Sequence, residues 1–193
     1  MNPVRNPKNL NASSVRKKIS NGVKKNFLTT TPWQTKKLGE TLATELLKKA
    51  KVEKRTKFSL SKEVLKTKPQ KRALVISLEG DLGGGKTTFL QGFSKGLGIK
   101  QKITSPTFVI MRRYKIQNTG YKIQNFYHID CYRVEKPKEI LDLGFKEIIS
   151  NPQNIVAVEW VDRIRKIMPK NTIWIKFDFV NKNTRQISIK YTG

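Results

Sequence analysis

Apolar residues recur along the chain with two periods, one typical of helices and one typical of strands. Short continuous apolar runs at 73–78 and 155–158 predict strands that are buried on both faces. A helical spacing predicts an amphipathic helix from Pro32 to about residue 51, entered from a short strand at 26–28, and a second helix that ends at 96–98. The inward-facing residues of these helices are expected to be Trp33, Leu38, Leu42, Leu46 and Leu47 in the first, and Phe89, Leu90, Phe93 and Leu97 in the second.

The second half of the chain alternates between the same two patterns. Residues 108–111 and 123–129 predict a hairpin that turns at Asn118, Thr119 and Gly120. A single helix is expected over 139–149, and strands at 173–179 and 185–189 form a closing pair. Strands that alternate with helices favour an α/β fold, in which a mixed central sheet with a mainly parallel core is flanked by helices.

Composition divides the chain into a basic extension and one domain. Residues 1–25 have few large apolar side chains, so we expect a disordered arm followed by a single domain over 26–193, with a Lys-rich connector near 52–72. Residues 1–75 hold 20 of the 40 Lys and Arg and 4 of the 14 acids, and therefore +16 of the formal charge of +26. Such charge attracts RNA or DNA, but lysine runs without interleaved aromatics are equally compatible with simple solubility.

The cysteine content and the N-terminal residues bear on the compartment. The single Cys131 cannot form an internal disulfide, which favours a reducing environment. No apolar stretch is long enough to cross a bilayer, and residues 1–5 lack the apolar segment of a secretory signal. We therefore expect a cytoplasmic protein with no membrane partner, while the absence of acids before Glu40 leaves an organellar transit peptide open.

Residues 80–87, with the sequence GDLGGGKT, match the phosphate-binding pattern G-x-x-x-x-G-K-[ST] between a predicted strand and a predicted helix. Glycines in such a loop let backbone N–H groups turn towards a polyphosphate, and the helix presents its positive N-terminus to the same place. Lys86 is expected to bridge the terminal phosphates and the Thr87 hydroxyl to take a magnesium ion. The motif predicts a P-loop NTPase-like sheet; the alternative is a glycine-rich turn with no ligand.

Two carboxylates end predicted strands beside this loop. Asp130 follows the strand at 123–129, and Glu159 follows the run at 155–158. A P-loop enzyme needs such a carboxylate to steady the magnesium ion and to orient water. Either acid alone is as compatible with capping the next turn as with a metal role. The two together favour a metal site, and we favour Glu159 for the metal or its water shell.

Five other residues are weaker candidates. His128 is the only histidine, which excludes a multi-histidine metal site and favours a packed strand residue over a base. Thr104 or Thr107 is expected to sense the terminal phosphate, unless the segment is a plain turn into a strand. Trp160 is either a core aromatic or an exposed docking group, and Arg133 either stabilises charge in the transition state or forms a surface ion pair.

Four linked motifs resemble the TsaE family, the small bacterial P-loop ATPases needed for threonylcarbamoyladenosine in tRNA. The matching segments are residues 80–89, 105–108, 127–133 and 158–160, and the resemblance extends over about 27–192, with residues 35–39 on the first helix. It implies a catalytic role for Lys86, a catalytic or switch role for Asp130, magnesium at Thr87 and Glu159, and a nucleotide contact near Thr35. ATP phosphates are implied at Asp81, Leu82, Gly83, Gly84, Gly85, Lys86, Thr87 and Thr88.

The resemblance also implies partners. The family acts with the TsaD transferase and its companion TsaB, and ATP hydrolysis resets that complex between rounds of tRNA modification without transferring the threonylcarbamoyl group. Weak turnover without partners, and tRNA contact either directly or through the complex, would follow. The chain departs from the family in its basic arm, its Lys-rich connector, Cys131 and Gly84, none of which is an essential group.

Three alternatives come from other functional classes. A GTP switch would carry N-K-x-D, whereas the Asn-Lys pair at 181–182 lacks the aspartate that pairs with guanine. A small-molecule kinase would show an arginine-bearing lid and an acceptor pocket, and the sequence indicates neither. A basic RNA-binding P-loop module that keeps a nucleotide only for stability stays open, as do the oligomeric state and the residues that contact adenine.

Overall fold

A computed structural model describes residues 24–52, 71–117 and 123–191, with side chains described up to Lys48 in the first range. The predicted arm up to residue 23, most of the Lys-rich connector and the turn at 118–120 lie outside these ranges. The described elements, in chain order, are β1 (Lys24–Thr29), α1 (Pro32–Val52), β2 (Leu74–Glu79), α2 (Lys86–Gly96), β3 (Met111–Lys115), β4 (Asn125–Asp130), α3 (Pro137–Asp142), α4 (Phe145–Ser150), β5 (Asn154–Glu159), a 3-10 segment (Val161–Ile167), β6 (Ile173–Phe179) and β7 (Arg185–Tyr191).

The seven strands form one mixed sheet in the order β1-β7-β6-β2-β5-β4-β3. The central strands β6, β2, β5 and β4 are parallel, and the antiparallel pairs β1 with β7, β7 with β6, and β3 with β4 extend the sheet to both edges. Strand β5 is buried at every residue, as its continuous apolar run predicts for a central parallel strand. The predicted α/β class with a mainly parallel core is confirmed.

Helices cover both faces of the sheet, so each face has its own hydrophobic core. On one face, α1 and α2 pack over Ile76, Leu78 and Phe126. On the other face, α3, α4 and the 3-10 segment pack over Val75 and Val156. The parallel strands β2 and β5 run side by side between these two cores, so their carboxyl ends lie at the same edge of the sheet.

The two helices of the first face approach closely because glycines line their contact. A Cβ built on Gly92 of α2 would lie 1.8 Å from the carbonyl oxygen of Lys36, and one built on Gly39 of α1 would lie 2.2 Å from that of Phe89. No side chain fits at such distances. This contact fixes α1 against α2, and therefore the β1 to α1 turn against the P-loop.

Several local predictions need correction. The strand expected at 26–28 is longer: β1 begins at Lys24, so Lys24 and Lys25 belong to the sheet although the expected boundary places them in the arm. Trp33 is 69% exposed and does not belong to the buried stripe of α1, although the other four residues of that stripe are buried. Trp33 lies in the first turn of α1, directly after Pro32, and both residues are exposed to solvent.

Two predicted elements in the second half of the chain differ from the structure: the strand at 108–111 and the helix at 139–149. Residues 107–109 form a turn with Phe108 83% exposed, and β3 begins only at Met111, after Ile110 takes a left-handed backbone with φ +62°. The predicted helix over 139–149 is two short helices, because Gly144 has φ +80° and redirects the chain. The strand predicted at 123–129 is confirmed as β4, which pairs with β3 in an antiparallel hairpin, and the predicted closing pair is confirmed as β6 with β7.

No helix in the described part of the chain combines the length and the apolar character needed to cross a membrane.

Candidate functional site

The P-loop connects the carboxyl end of β2 to the start of α2. Gly85 caps α2 with φ +102°, a backbone conformation that L residues with a side chain rarely adopt. Gly84 N donates to Asp81 O at 3.1 Å, and Phe89 N donates to Gly85 O at 2.8 Å, so the loop turns back and runs directly into the helix. The N–H groups of the first turn of α2, with the positive end of its dipole, therefore face the cleft above the sheet.

Lys86 lies inside this cleft and is only 5% exposed. Its Nζ donates to Gly80 O at 2.6 Å and to Asp81 O at 2.8 Å, and it lies 4.3 Å from the centroid of the Trp160 ring. Burial lowers the pKa of Lys86, and the negative charges of Glu159 and Asp130 oppose that shift. The ammonium group is thus held at the loop with both strand-end carboxylates close enough to act on its charge.

The two predicted carboxylates are direct neighbours in the sheet. Asp130 and Glu159 are register partners at the carboxyl ends of the parallel strands β4 and β5. Asp130 Oδ1 accepts a hydrogen bond from Tyr132 N at 3.0 Å, while Oδ2 accepts from Thr107 Oγ1 at 2.7 Å and from Ser105 Oγ. Protein donors therefore contact both oxygens of Asp130.

Glu159 has a different environment. Its Oε1 lies 2.7 Å from His128 Nε2, and no described residue donates to Oε2. Both side chains are buried, since His128 is 0% exposed and Glu159 is 2% exposed. His128 is therefore a packed strand residue, as the sequence favours, but it also contacts the carboxylate at the site.

Most of the predicted ligand-binding residues line one open cleft of about 350 Å³. Small-molecule sites commonly occupy about 300–1,000 Å³, so the cleft has the size of a binding site. Its lining includes Leu82, Gly83, Gly84, Gly85, Lys86, Thr87, Thr88, Ser105, Thr107, Asp130, Tyr132, Glu159 and Trp160. The side chain of Asp81 is not part of that lining; Asp81 contributes its carbonyl oxygen to Lys86 instead.

Thr35 lies in a second cleft, of about 220 Å³, on the other side of the P-loop. The two clefts share Gly83, Gly85 and Thr88. Thr35 is 4% exposed, and its hydroxyl lies 2.9 Å from Thr29 Oγ1 and donates to Thr31 O at 3.4 Å, so it holds the turn between β1 and α1. The remaining residues that line this cleft are Thr29, Thr30, Thr31, Pro32, Lys182, Asn183 and Arg185.

The weaker candidates separate clearly. Thr107 reaches Asp130, whereas Thr104 accepts a hydrogen bond from Arg112 at 3.4 Å and does not line the cleft. Arg133 stacks over the exposed Phe108 ring at 4.4 Å and is not part of the cleft lining. Trp160 is half-buried, so neither alternative of core or exposed aromatic describes it.

Sequence reasoning missed three contributions to these clefts. The hydroxyl of Ser105 holds Asp130, and the N–H of Tyr132 holds the same carboxylate. The turn between β6 and β7 supplies Lys182 to the second cleft, and the first residue of β7 supplies Arg185. Ser105 belongs to the segment 105–108 that resembles the family, but the sequence predicts no role for its hydroxyl. The turn carried no signal other than two basic residues, because its approach to the P-loop depends on the whole sheet.

The donor set suits a hard divalent cation that also binds phosphate. The described residues contain no group of three or more His, Cys, Asp and Glu side chains able to hold a metal ion together. Thr87 and Glu159 both line the cleft and can instead offer one hydroxyl and one carboxylate oxygen. Mg²⁺ is commonly held by one or two protein oxygens together with phosphate oxygens and water, so these residues fit that ion.

Comparisons with known proteins agree with this architecture. The family model described as "Threonylcarbamoyl adenosine biosynthesis protein TsaE" matches residues 29–187. The tRNA threonylcarbamoyladenosine biosynthesis protein TsaE of Bacillus subtilis is 40% identical over 119 residues, which cover 62% of this chain and 70% of that protein. The protein of the same name from Nostoc sp. is 42% identical over 118 residues, which cover 60% of this chain and 68% of that one.

A solved structure supports the same assignment. The crystal structure of YdiB from Bacillus subtilis superposes with a TM-score of 0.62 and 28% sequence identity, over 89% of this chain and 88% of that chain. The matched family region begins at the end of β1 and extends into β7, so it contains both clefts. The chain belongs to the TsaE family of threonylcarbamoyl adenosine biosynthesis proteins.

Proposed function

We propose that the chain is a magnesium-dependent ATPase that binds ATP on its P-loop. The observation that carries this proposal is the arrangement of Lys86 and Glu159 in one cleft with the N-terminus of α2. A cation, a helix N-terminus and a carboxylate with one oxygen to spare together suit a polyphosphate with its metal ion. A glycine-rich turn without a ligand would not require a buried lysine beside two buried carboxylates.

The two clefts suggest how the nucleotide is divided between them. The polyphosphate occupies the cleft of Lys86 and Thr87, and the sugar and base extend past Gly85 and Thr88 into the second cleft. There Lys182 and Arg185 supply positive charge and donors, while Thr35 fixes the floor through its hydrogen bond to Thr31 O. Thr35 would then support the nucleotide by shaping the wall of the second cleft, which agrees with the nucleotide contact near Thr35 that the family resemblance implies.

The chain's own groups would act on the terminal phosphate as follows. Lys86 leaves its loop carbonyls to bind oxygens of that phosphate, and the N–H groups at the start of α2 stabilise the charge that develops there. Bound Mg²⁺ would neutralise part of the phosphate charge. Glu159 would face the metal or its water shell, and Asp130, held rigidly by Ser105 and Thr107, would accept a hydrogen bond from the attacking water.

The family membership supports a role for this hydrolysis in tRNA threonylcarbamoyladenosine biosynthesis. We propose that the protein acts in the cytoplasm with TsaD and TsaB and that ATP hydrolysis resets their complex. Without these partners turnover is expected to be weak. The chain contacts tRNA either directly or through the complex, and its charge of +26 is compatible with direct contact.

One other function has an observation in its favour. A net charge of +26 is also what an RNA-binding module would carry, and such a module would retain a nucleotide only for stability. It would bind tRNA and would not hydrolyse ATP even when partners are supplied.

A small-molecule kinase has no support, because the sequence indicates neither an arginine-bearing lid nor a site for a phosphoryl acceptor.

The test is ATP turnover measured with and without TsaB, TsaD and tRNA. We expect slow magnesium-dependent phosphate release from the protein alone and a clear increase when the partners are present. Lys86→Ala is the matched control, because it removes the cleft cation. Turnover that is absent under every condition, or that is unchanged by Lys86→Ala, would contradict the proposal, and tRNA binding without hydrolysis would favour the RNA-binding module.

A further inference from the structure

The chain's only histidine forms a buried hydrogen bond to a carboxylate of the candidate site. His128 lies two residues before Asp130 on β4, and its Nε2 is 2.7 Å from Glu159 Oε1 on the adjacent strand β5. The side chains are 0% and 3% exposed. Water therefore does not compete for this contact, and each group depends on the other for its hydrogen bond.

The chemistry of the two groups fixes the direction of the hydrogen bond. A carboxylate can only accept, so His128 Nε2 carries the hydrogen and donates it to Glu159 Oε1. His128 Nδ1 is buried and has no hydrogen-bond partner among the described residues. The polar function of the imidazole is therefore directed at Glu159 alone, through one nitrogen.

Packing does not account for this histidine. Its ring stacks on Phe126 with centroids 6.5 Å apart, a contact that a phenyl ring would make equally well. A phenyl ring would also avoid the cost of a buried nitrogen without a partner. Strands β4 and β5 are already paired over six residues by their backbones, so the sheet does not need a side-chain link at this point. What an aromatic hydrocarbon could not supply is the hydrogen bond to Glu159.

That hydrogen bond fixes the orientation of the Glu159 carboxylate in the cleft. A glutamate side chain has three rotatable bonds, and the ammonium group of Lys86 acts on the charge of Glu159 from within the same cleft. Without an anchor, the carboxylate could turn to pair with Lys86 and occupy its lone pairs there. With Oε1 held by His128, no described residue donates to Oε2, which is left for a ligand. Asp130, which is shorter and has three donors, does not need such an anchor.

We propose that His128 is a positioning residue, which holds Glu159 so that its Oε2 meets the magnesium ion or a water bound to it. The inference rests on the proposed function, because it assigns His128 a task in binding magnesium with the nucleotide. His128 itself touches neither substrate nor metal. Removing the donor should therefore weaken the contribution of magnesium while leaving the phosphate-binding loop able to bind nucleotide.

The test compares two buried amides at the same position. In His128→Gln the amide nitrogen reaches about as far as Nε2 and can still donate to Glu159, whereas in His128→Asn the shorter side chain cannot. We measure the affinity for a fluorescent ATP analogue in EDTA and in Mg²⁺, together with turnover as a function of Mg²⁺ concentration. We expect His128→Asn to keep its affinity in EDTA, to lose most of the gain from Mg²⁺, and to need about tenfold more Mg²⁺ for half-maximal turnover. His128→Gln should restore both quantities towards those of the wild type.

A double-mutant cycle separates this role from a general loss of stability. In a Glu159→Ala background His128 has no carboxylate to position, so adding His128→Asn should not change the effect of Mg²⁺ on nucleotide affinity any further. Additive effects on the Mg²⁺ dependence, or equal losses of affinity in EDTA and in Mg²⁺, would overturn the proposal. If His128→Asn does not fold, His128→Phe replaces it, since that variant keeps the ring stacked on Phe126 and removes the donor.

The outcomes also distinguish this inference from the proposed function. If the wild-type protein and its partners show no magnesium-dependent turnover, the proposed function fails. If the wild type hydrolyses ATP and His128→Asn matches it at every Mg²⁺ concentration, the ATPase assignment stands and the positioning role of His128 is wrong.

Discussion

Asp130 and Glu159 are register partners at the carboxyl ends of β4 and β5, yet their hydrogen bonds prepare them for different tasks. Both oxygens of Asp130 accept from protein donors, which makes its carboxylate rigid. Glu159 is held through one oxygen only. Two equivalent strand-end acids in the sequence thus become one fixed acceptor and one candidate ligand for a metal or its water shell.

Removing the cleft cation or the P-loop hydroxyl should abolish turnover. Lys86→Ala and Thr87→Ala are each expected to lower ATP hydrolysis by about 100-fold or more, because the first removes the charge that stabilises the transferred phosphate and the second removes the hydroxyl proposed to hold the magnesium ion. Both side chains project into the cleft and not into the hydrophobic core, so the fold should survive. Phosphate release and thermal unfolding measure the two effects.

Lys95→Ala on the same helix provides the control for these variants. The Lys95 side chain is 74% exposed and, among the described residues, forms an ion pair with Glu40 alone, so the turnover of Lys95→Ala should equal that of the wild type. Near-normal hydrolysis by Lys86→Ala or Thr87→Ala would show that the P-loop assignment is mistaken.

The two carboxylates should respond differently to neutral isosteres. Glu159→Gln should retain nucleotide binding and lose hydrolysis, because the amide keeps the shape but removes the charge that steadies the metal and its water. Binding is measured with a fluorescent ATP analogue and turnover by phosphate release. Should Glu159→Gln hydrolyse ATP at the normal rate while Asp130→Asn does not, Asp130 would be the better metal-side acid.

The contact between α1 and α2 should tolerate no side chain at Gly92. A methyl group there would lie 1.8 Å from the carbonyl oxygen of Lys36, so Gly92→Ala must push the helices apart. We expect a loss of about 1–3 kcal/mol of unfolding free energy, the usual cost of overpacking. Urea unfolding of Gly92→Ala beside Lys95→Ala tests this, and a Gly92→Ala protein as stable as the control would contradict the packing of these helices.

The single cysteine, Cys131, belongs to the core that α3, α4 and the 3-10 segment cover, so its reactivity reports on the integrity of that core. Cys131 is fully buried, and burial raises its pKa to about 12, so its thiol stays protonated and unreactive at pH 8. Native protein should therefore resist iodoacetamide, while protein in urea should take up one equivalent, as seen by mass spectrometry. Rapid labelling of the native protein at pH 8 would mean that this core opens readily.

Sequence patterns were sufficient where one physical requirement dominates. The buried run of β5, the glycines of the P-loop and the acids at strand ends each follow from burial, backbone geometry or the direction of parallel strands. The apolar run of Phe108, Val109 and Ile110 predicts a strand wrongly, because composition alone does not reveal that Phe108 and Val109 face solvent and that Ile110 takes a positive φ.

The contacts that the sequence does not predict are those between segments that lie far apart in the chain. His128 and Glu159 are 31 positions apart, and their contact follows only once β4 and β5 are in register. Lys182 and Arg185 reach the second cleft because the β6 to β7 turn passes beside the P-loop. A motif search finds His128 and Glu159 in separate segments but does not reveal their contact, and it has no distinctive type or spacing by which to find Lys182 and Arg185.

The basic N-terminal segment should assist tRNA association by electrostatics alone. Because β1 begins at Lys24, the test is a deletion of residues 1–23, which carry five Lys or Arg and no acid. ATP binding should be unchanged, and tRNA affinity should fall chiefly at low salt, because phosphate contacts made without base readout weaken as counterions compete. Filter binding of tRNA across a salt series, beside nucleotide titration of the same protein, measures both. Loss of ATP binding would mean that these residues belong to the folded domain, and unchanged tRNA affinity at every salt concentration would mean that their charge takes no part in binding.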